Sequence, residues 1–332
     1  MPQLLLLPGL EPDESEKPVN VSSVPQLSPF RYPGGKTWLV PLFRRWIASM
    51  PERPKTVIEP FAGGGIISLT AAFEALAKNV VMVELDRRVS AVWQTILNGG
   101  AELLAQRILH FDLSIESARA EFLKEPTTTF DLAFQTLVQN RTAHGGILAE
   151  GAGVIKTGEK GRGIQSRWYP QTIARRITSI AHVADRITFI EGDAFEVMRR
   201  HHRSSGAVFF IDPPYTAGGK RAGSRLYTHS EIDHERLFAL CERLQGDFLL
   251  TYDNAEVVRA LARRHGFDCR PVAMKNTHHA EMRELLIGRN LAWVDEPSTF
   301  CEEPGKAALN EIAPRKPVRY NSKRASKRKK PC

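Results

Sequence analysis

The sequence predicts an α/β fold: a doubly wound, mostly parallel sheet with a C-terminal antiparallel hairpin and an inserted, mainly helical subdomain. Three observations carry this. Short apolar runs alternate with amphipathic helices from residue 56 onward, as in a parallel sheet covered on both faces. The alternation breaks between about residues 99 and 184, where the pattern is mostly helical. The last two strand-like runs, "FDCRPVAM" and "RELLIGRN", are separated only by a loop.

Residues 1–27 are Pro- and Glu-rich without periodicity and read as a flexible leader. Within it "LLLLPGL" is too short for a signal peptide, lacks a basic lead and runs into "EPDESEKP". The first strand is "TVIEP" (56–60), a β-branched run stopped by proline. "GIISLTAAFEAL" (65–76) repeats its apolar residues at helical spacing. "VVMVEL" (80–85) is a buried strand and "RRVSAVWQTIL" (87–97) a helix. In the interruption, "FDLAFQTLVQNR" (130–141) and "YPQTIARRITSIAHVA" (169–184) are helices flanking a Gly-rich basic loop. Strands return with "RITFIEGD" (186–193), "AVFFID" (207–212) and "DFLLTYD" (247–253). Helices 194–202, 232–244 and 255–266 separate or follow them. The expected organisation is a catalytic domain over 28–98 and 185–295, an insertion over 99–184 and a tail over 312–332.

With 332 residues, 42% hydrophobic, the chain can build one large core, or a core plus an inserted subdomain. No run approaches the ~18 apolar residues of a membrane helix. Cys241, Cys269, Cys301 and Cys332 lie far apart without a C-x-x-C, which suits a reducing compartment, so a cytoplasmic location is expected. The net charge of +9 is not a property of the fold. Nine basic residues and no acidic one lie between Ile312 and Cys332, and the rest of the chain is balanced. That tail reads either as a non-specific phosphate-binding arm or as a solvated end. The stretch from Arg141 to Arg186 carries a local charge of +5.

Ligands of open parallel sheets bind beyond the carboxyl ends of the strands. Four segments fall there: "EPFAGGG" (59–65), Glu84, "EGDAF" (191–195) and "DPPY" (212–215). Three consecutive glycines let a backbone approach a ligand closely. Glu84 follows the glycine turn at the distance that suits a carboxylate on ribose hydroxyls. A nicotinamide dinucleotide is a poor fit, because the sixth position counted from Gly63 is Ser68 rather than glycine. "GGKT" (34–37) mimics the end of a P-loop, but Phe30 stands where its first glycine belongs. "HHAE" (278–281) and His201-His202 are read as non-ligands, since adjacent side chains on a strand face opposite ways, and no metal is expected.

With these pieces in order, the chain resembles the Dam-type, α-group family of DNA adenine-N6 methyltransferases from about Ser28 to Asn290. The carriers are "FRYPGGK" (30–36), "EPFAGGG", "VELD" (83–86), "NRTAHGG" (140–146), "GDAF", "DPPY", "LLTYDN" (249–254) and "RELLIGRN" (283–290). The resemblance implies a Rossmann-like methyltransferase sheet and S-adenosylmethionine as donor. It implies that Tyr32 packs against the donor, Lys36 pairs with its carboxylate, and the turn of Phe61, Gly63 and Gly65 passes its methionine part. Glu84 would hold the ribose, Asp193 the adenine amino group and Phe195 the adenine face, with Asp212 bordering the donor as well.

In the family "DPPY" carries the chemistry: Asp212 and the Pro213 carbonyl would accept hydrogen bonds from adenine N6, Pro214 would keep the turn rigid, and Tyr215 would stack on a flipped base. The insertion then reads as target recognition. Asn140 and Arg141 match a family "NR" segment, but Gly145-Gly146 replaces the usual Asn-Gly, which leaves the target sequence open. Asn140 is expected among the DNA contacts, and Arg141, Lys160, Arg162 and Arg167 are expected phosphate or guanine contacts. Lys220, Arg221 and Arg225 are expected in a loop that closes on the substrate. Double-stranded DNA is the implied partner, with a cognate restriction endonuclease as a second. No membrane association is expected, and the expected state is a monomer. Two alternatives stand beside this reading: a cytosine-N4 enzyme, which usually carries Ser where this chain has Asp212, and a DNA-binding protein that kept the fold and lost catalysis. A glutamine methyltransferase would favour Asn there.

Overall fold

A computed structural model describes residues 24–32, 34–148, 153, 155, 158, 161–214, 232–275 and 281–294. Among the described residues, seven strands form one sheet: β1 (Thr56–Glu59), β2 (Asn79–Glu84), β3 (Ile187–Glu191), β4 (Ala207–Ile211), β5 (Phe248–Asp253), β6 (Asp268–Lys275) and β7 (Glu281–Gly288). Their order is β3-β2-β1-β4-β5-β7-β6. The first five run parallel; β7 is antiparallel to both β5 and β6, so the expected edge hairpin is present. The order turns back at the β1/β4 boundary, the place where such sheets bind ligands. Proline at 271 fits β6, because an edge strand tolerates a missing N–H.

The strands bury both faces, with successive residues going to opposite sides. Val57, Val80, Met82, Val208, Phe210 and Leu249 join one core; Ile58, Val81, Val83, Phe209, Ile211 and Leu250 join the other. The second core is closed by α8 (Ala194–His201), α9 (His234–Arg243) and α10 (Glu256–Arg264). The first is closed by α1 (Val40–Ala48), α2 (Ile66–Phe73), α3 (Arg87–Thr95), α4 (Ala101–His110), α5 (Ile115–Phe122), α6 (Thr129–Thr142) and α7 (Pro170–Ala181). The helices between residues 99 and 184 therefore share a core with the sheet: α6 packs on α3, and α7 on α4.

Several bounds differ from expectation for local reasons. The helix read over 65–76 ends at Phe73, and Ala75 adopts a left-handed φ of 51°. The helix read over 87–97 passes through a π turn, Ile96–Gly100, into α4, with Gly99 at φ 91°. The leader read over 1–27 has a fixed end, since Val24 is 95% covered in the first core (5% exposed). Tyr215, Lys160, Lys220, Arg221, Arg225 and the tail from residue 312 lie outside the described residues. Among the described residues, no helix is long and apolar enough to cross a membrane.

Candidate active site

The carboxyl ends of β1, β2, β3 and β4 open on one cavity of about 360 Å³. All nine side chains or turns expected at the donor border it. The glycine turn links β1 to α2. Gly63 (φ 46°) and Gly65 (φ 65°) are in the left-handed region, which a side chain would strain. A Cβ on Gly63 would sit 2.6 Å from Tyr32 Cε1, and one on Gly65 2.6 Å from Met82 Cε. Tyr32 thus rests on the turn, with Phe30 edge-on to it at 6.3 Å. Trp93 of α3 donates its indole N–H to Gly63 O at 3.0 Å, and Phe61 lines the cavity wall beside the turn.

Glu84 ends β2 and accepts from Gly63 N (2.9 Å) and Asp86 N (2.8 Å). Burial pushes its carboxyl up to about 7, against the pull of those N–H groups. Asp193 caps α8, with Oδ1 accepting from Glu196 N at 2.9 Å. A carboxylate accepts through two oxygens, so the cap does not use up the group. Phe195 is buried at the cavity wall, and the guanidinium carbon of Arg236 lies 4.7 Å from its ring centroid.

Asp212 follows β4. The register pairs Ile211 with Leu250, which brings Thr251 beside Asp212. Thr251 Oγ1 donates to Asp212 Oδ1 at 2.7 Å, and Lys36 Nζ lies 3.0 Å from the same oxygen. Lys36 is 3% exposed and also lies 3.0 Å from Gly34 O and 3.4 Å from Glu284 Oε2. An ammonium has three N–H donors, and Asp212, Glu284 and Gly34 O are all within their reach. The geometry thus sets Lys36 beside Asp212 and Glu284, at the cavity where the resemblance expects the donor's carboxylate. Sequence reasoning gave Thr251 and Glu284 no role. The signal for Thr251 was a polar residue in an apolar strand, and for Glu284 an acid opening an apolar run, but choosing them needs the strand register. Thr251→Val keeps shape and removes the hydroxyl; we expect kcat to fall about tenfold with the donor Kd unchanged. Single-turnover kinetics and calorimetry separate the two.

Glu59, at the end of β1, is a further carboxyl on the cavity, buried at 3% exposure, and was not singled out from the sequence. It accepts from Ser68 N at 2.9 Å. Burial pushes it up to about 8; the Ser68 hydrogen bonds oppose this, and Asp212 and Glu84 add to it. A carboxyl raised on folding favours the fold most below its unfolded pKa and loses that contribution as pH climbs through its folded value. Glu59→Gln keeps an acceptor for Ser68 and cannot ionise. Between about pH 6 and 8 the wild type should lose roughly 5 °C more in Tm than this variant, measured by calorimetry. Parallel curves would contradict the burial of an ionisable acid here.

Two expected DNA contacts require correction. Asn140 is fully buried: its Oδ1 accepts from Arg31 N (2.8 Å), and its Nδ2 donates to Arg31 O (2.9 Å) and Gly146 O (2.7 Å). Arg141 is 5% exposed and donates to Pro29 O. Both hold the 28–32 segment against α6 and present no base-reading edge at the surface. Arg162 is exposed, over the ring of Tyr169 at 5.3 Å, and Arg167 is half-buried. Asp212, Pro213 and Pro214 follow β4, and both Asp212 and Pro214 line the cavity.

The chain matches the family described as "D12 class N6 adenine-specific DNA methyltransferase" over residues 32–276. Comparison with curated proteins gave no match. Among solved structures it is similar to the rRNA methyltransferase aviRa from Streptomyces viridochromogenes (14% identity, TM-score 0.38, covering 85% of this chain and 96% of that one). It is also similar to an rRNA methylase from Streptococcus thermophilus (10%, 0.33, 75% and 95%) and a methyltransferase from Geobacter sulfurreducens (14%, 0.34, 76% and 77%).

Proposed function

Because the chain belongs to the D12 class N6 adenine-specific DNA methyltransferase family, we propose that it methylates N6 of an adenine at a specific site in double-stranded DNA, the base being flipped into the cavity. The donor is S-adenosylmethionine, and the cavity fits it. The glycine cradle would be filled by any Cβ, Glu84 offers an acceptor where a ribose would lie, and Asp193 and Phe195 offer an acceptor and an apolar wall for an adenine. When bound, the donor supplies an electrophilic methyl on a sulfonium.

The remaining work falls to this chain's residues. Adenine N6 is a weak nucleophile, its lone pair delocalised into the ring. Asp212 and the Pro213 carbonyl accept hydrogen bonds from its two N–H groups and leave the lone pair free to point at the methyl; Pro213 and Pro214 fix the backbone of the turn. Lys36 and Thr251 hold the Asp212 carboxylate in one orientation, so it pays little reorganisation at reaction. In this reading Tyr215 holds the base, and the segment carrying Lys220, Arg221 and Arg225 closes over it. The region 99–184 carries target recognition, with Arg162 and Arg167 as DNA contacts.

The observation that carries the proposal is Asp212: a carboxylate fixed by two buried partners, on the cavity that also presents Glu84 and the glycine turn. Its test is incubation of purified protein with labelled donor and mixed-sequence duplex DNA. Label should appear in N6-methyladenine. Label confined to cytosine, or to RNA offered in competition, would contradict it.

A further inference from the structure

Four arginines gather where the 28–32 segment meets α6 and α7. Arg176 of α7 borders the cavity and donates to Ser28 O at 3.0 Å; Arg31 borders it too. Arg141 lies behind them, on Pro29 O, and Arg167 is close enough to act on both Arg31 and Arg141. Two nitrogens of the group, Arg31 Nη1 and Arg141 Nε, are buried without a hydrogen-bond partner among the described residues.

Around Arg141 the charges of Arg176, Arg31 and Arg167 are all of its own sign. Arg141 is pushed down first by burial and then by the like charges of Arg176, Arg31 and Arg167. Arginine stays protonated in proteins, so the fold carries this repulsion together with unmet donors. An oxyanion arriving at the rim beside Arg31 and Arg176 would offset the like charge. Guanidinium groups match phosphate oxygens bidentately and are less hydrated than ammonium groups.

We propose that Arg31 and Arg176, backed by Arg141 and Arg167, form a phosphate seat at the rim of the cavity, and that it takes a backbone phosphate of the DNA strand whose base enters. This rests on the DNA-substrate reading above. The donor carries no phosphate, and its single carboxylate does not require two guanidinium groups on the cavity border. Three of the four come from the region between α3 and β3 rather than from the sheet edge that shapes the donor cradle. Asn140 contributes indirectly, because its amide clamps both backbone groups of Arg31 and so fixes where that guanidinium starts. In this account the "NR" pair is a support for the phosphate seat, with Arg31 and Arg176 as the contacting groups.

The test uses the full chain and its Arg31→Gln and Arg176→Gln variants, which spare the almost fully buried Arg141. Fluorescence anisotropy with a mixed-sequence duplex gives DNA affinity across a salt series, and calorimetry gives the donor Kd. Each variant should bind DNA about tenfold more weakly, with the slope of log K against log salt reduced by about one. The donor Kd should stay within about twofold of wild type, which also shows that the variants are folded. Unchanged DNA affinity and slope in both variants would overturn the proposal. So would a donor Kd weakened about tenfold or more with the slope intact, which would move these arginines to the donor's carboxylate. A wild-type protein without salt-dependent DNA binding would instead strike at the DNA-substrate reading itself.

Discussion

Asp212→Ala is expected to lower the rate of methyl transfer by about two to three orders of magnitude, with donor affinity within a few-fold of wild type. The magnitude is that of losing one pre-positioned electrostatic contact in an enclosed site. Asp212 is held from two sides, by Thr251 Oγ1 at 2.7 Å and Lys36 Nζ at 3.0 Å. Removing the carboxylate deletes an acceptor for the amine and leaves Lys36, 3% exposed, with Glu284 as its remaining acid among the described partners. The variant should therefore also melt lower, since a nearly buried ammonium loses the nearer of these two carboxylates. Asp212→Asn, which keeps one oxygen acceptor, should retain more activity than Asp212→Ala. Single-turnover rates at saturating donor distinguish these outcomes. An alanine variant as fast as wild type would remove Asp212 from the chemistry.

Glu84→Ala should act on the other half of the site, weakening donor binding by about a hundredfold while leaving the rate at saturating donor within about tenfold. Glu84 has two duties. It accepts from Gly63 N and Asp86 N, and so fixes the glycine turn relative to the end of β2. It is also the acceptor offered to a ribose. Hydrogen bonds to a charged group contribute about 1.5–3 kcal/mol each, so loss of the turn's anchor and the ligand contact together reaches the stated factor. Titration calorimetry with the donor checks it. A donor Kd unchanged in Glu84→Ala would mean that the cavity holds the donor in a different way.

These two effects come from positions that were legible in the sequence, and the reason is local. A glycine run after a β-branched strand, an acid ending an apolar run, and an Asp-Pro-Pro turn each declare themselves within a few residues. The structure then gathers them on one cavity, because parallel strands bring their carboxyl ends to the same edge. What stayed hidden depends on pairing between distant segments. Thr251 meets Asp212 only through the β4–β5 register, and Glu284 comes to the same edge through β5–β7, where it pairs with Asp253. Asn140 and Arg141 look like surface residues in a basic stretch. Their burial follows from α6 packing under a segment 109 residues earlier, a contact that no local pattern encodes. Lys36 was recognised as part of the site, but its acidic partners come from the turn after β4 and from β7, both distant in sequence. Arg31 and Arg176 lie far apart in sequence and border the same cavity only because α7 returns to the 28–32 segment.

The most direct measurement is expression of this chain in a host that lacks adenine methylation, followed by long-read mapping of modified bases in the host DNA. The account predicts N6-methyladenine at one recurring short sequence, present with the wild type and absent with Asp212→Ala. Recurrent N4-methylcytosine, or unmodified DNA alongside saturable donor binding by the purified protein, would contradict it.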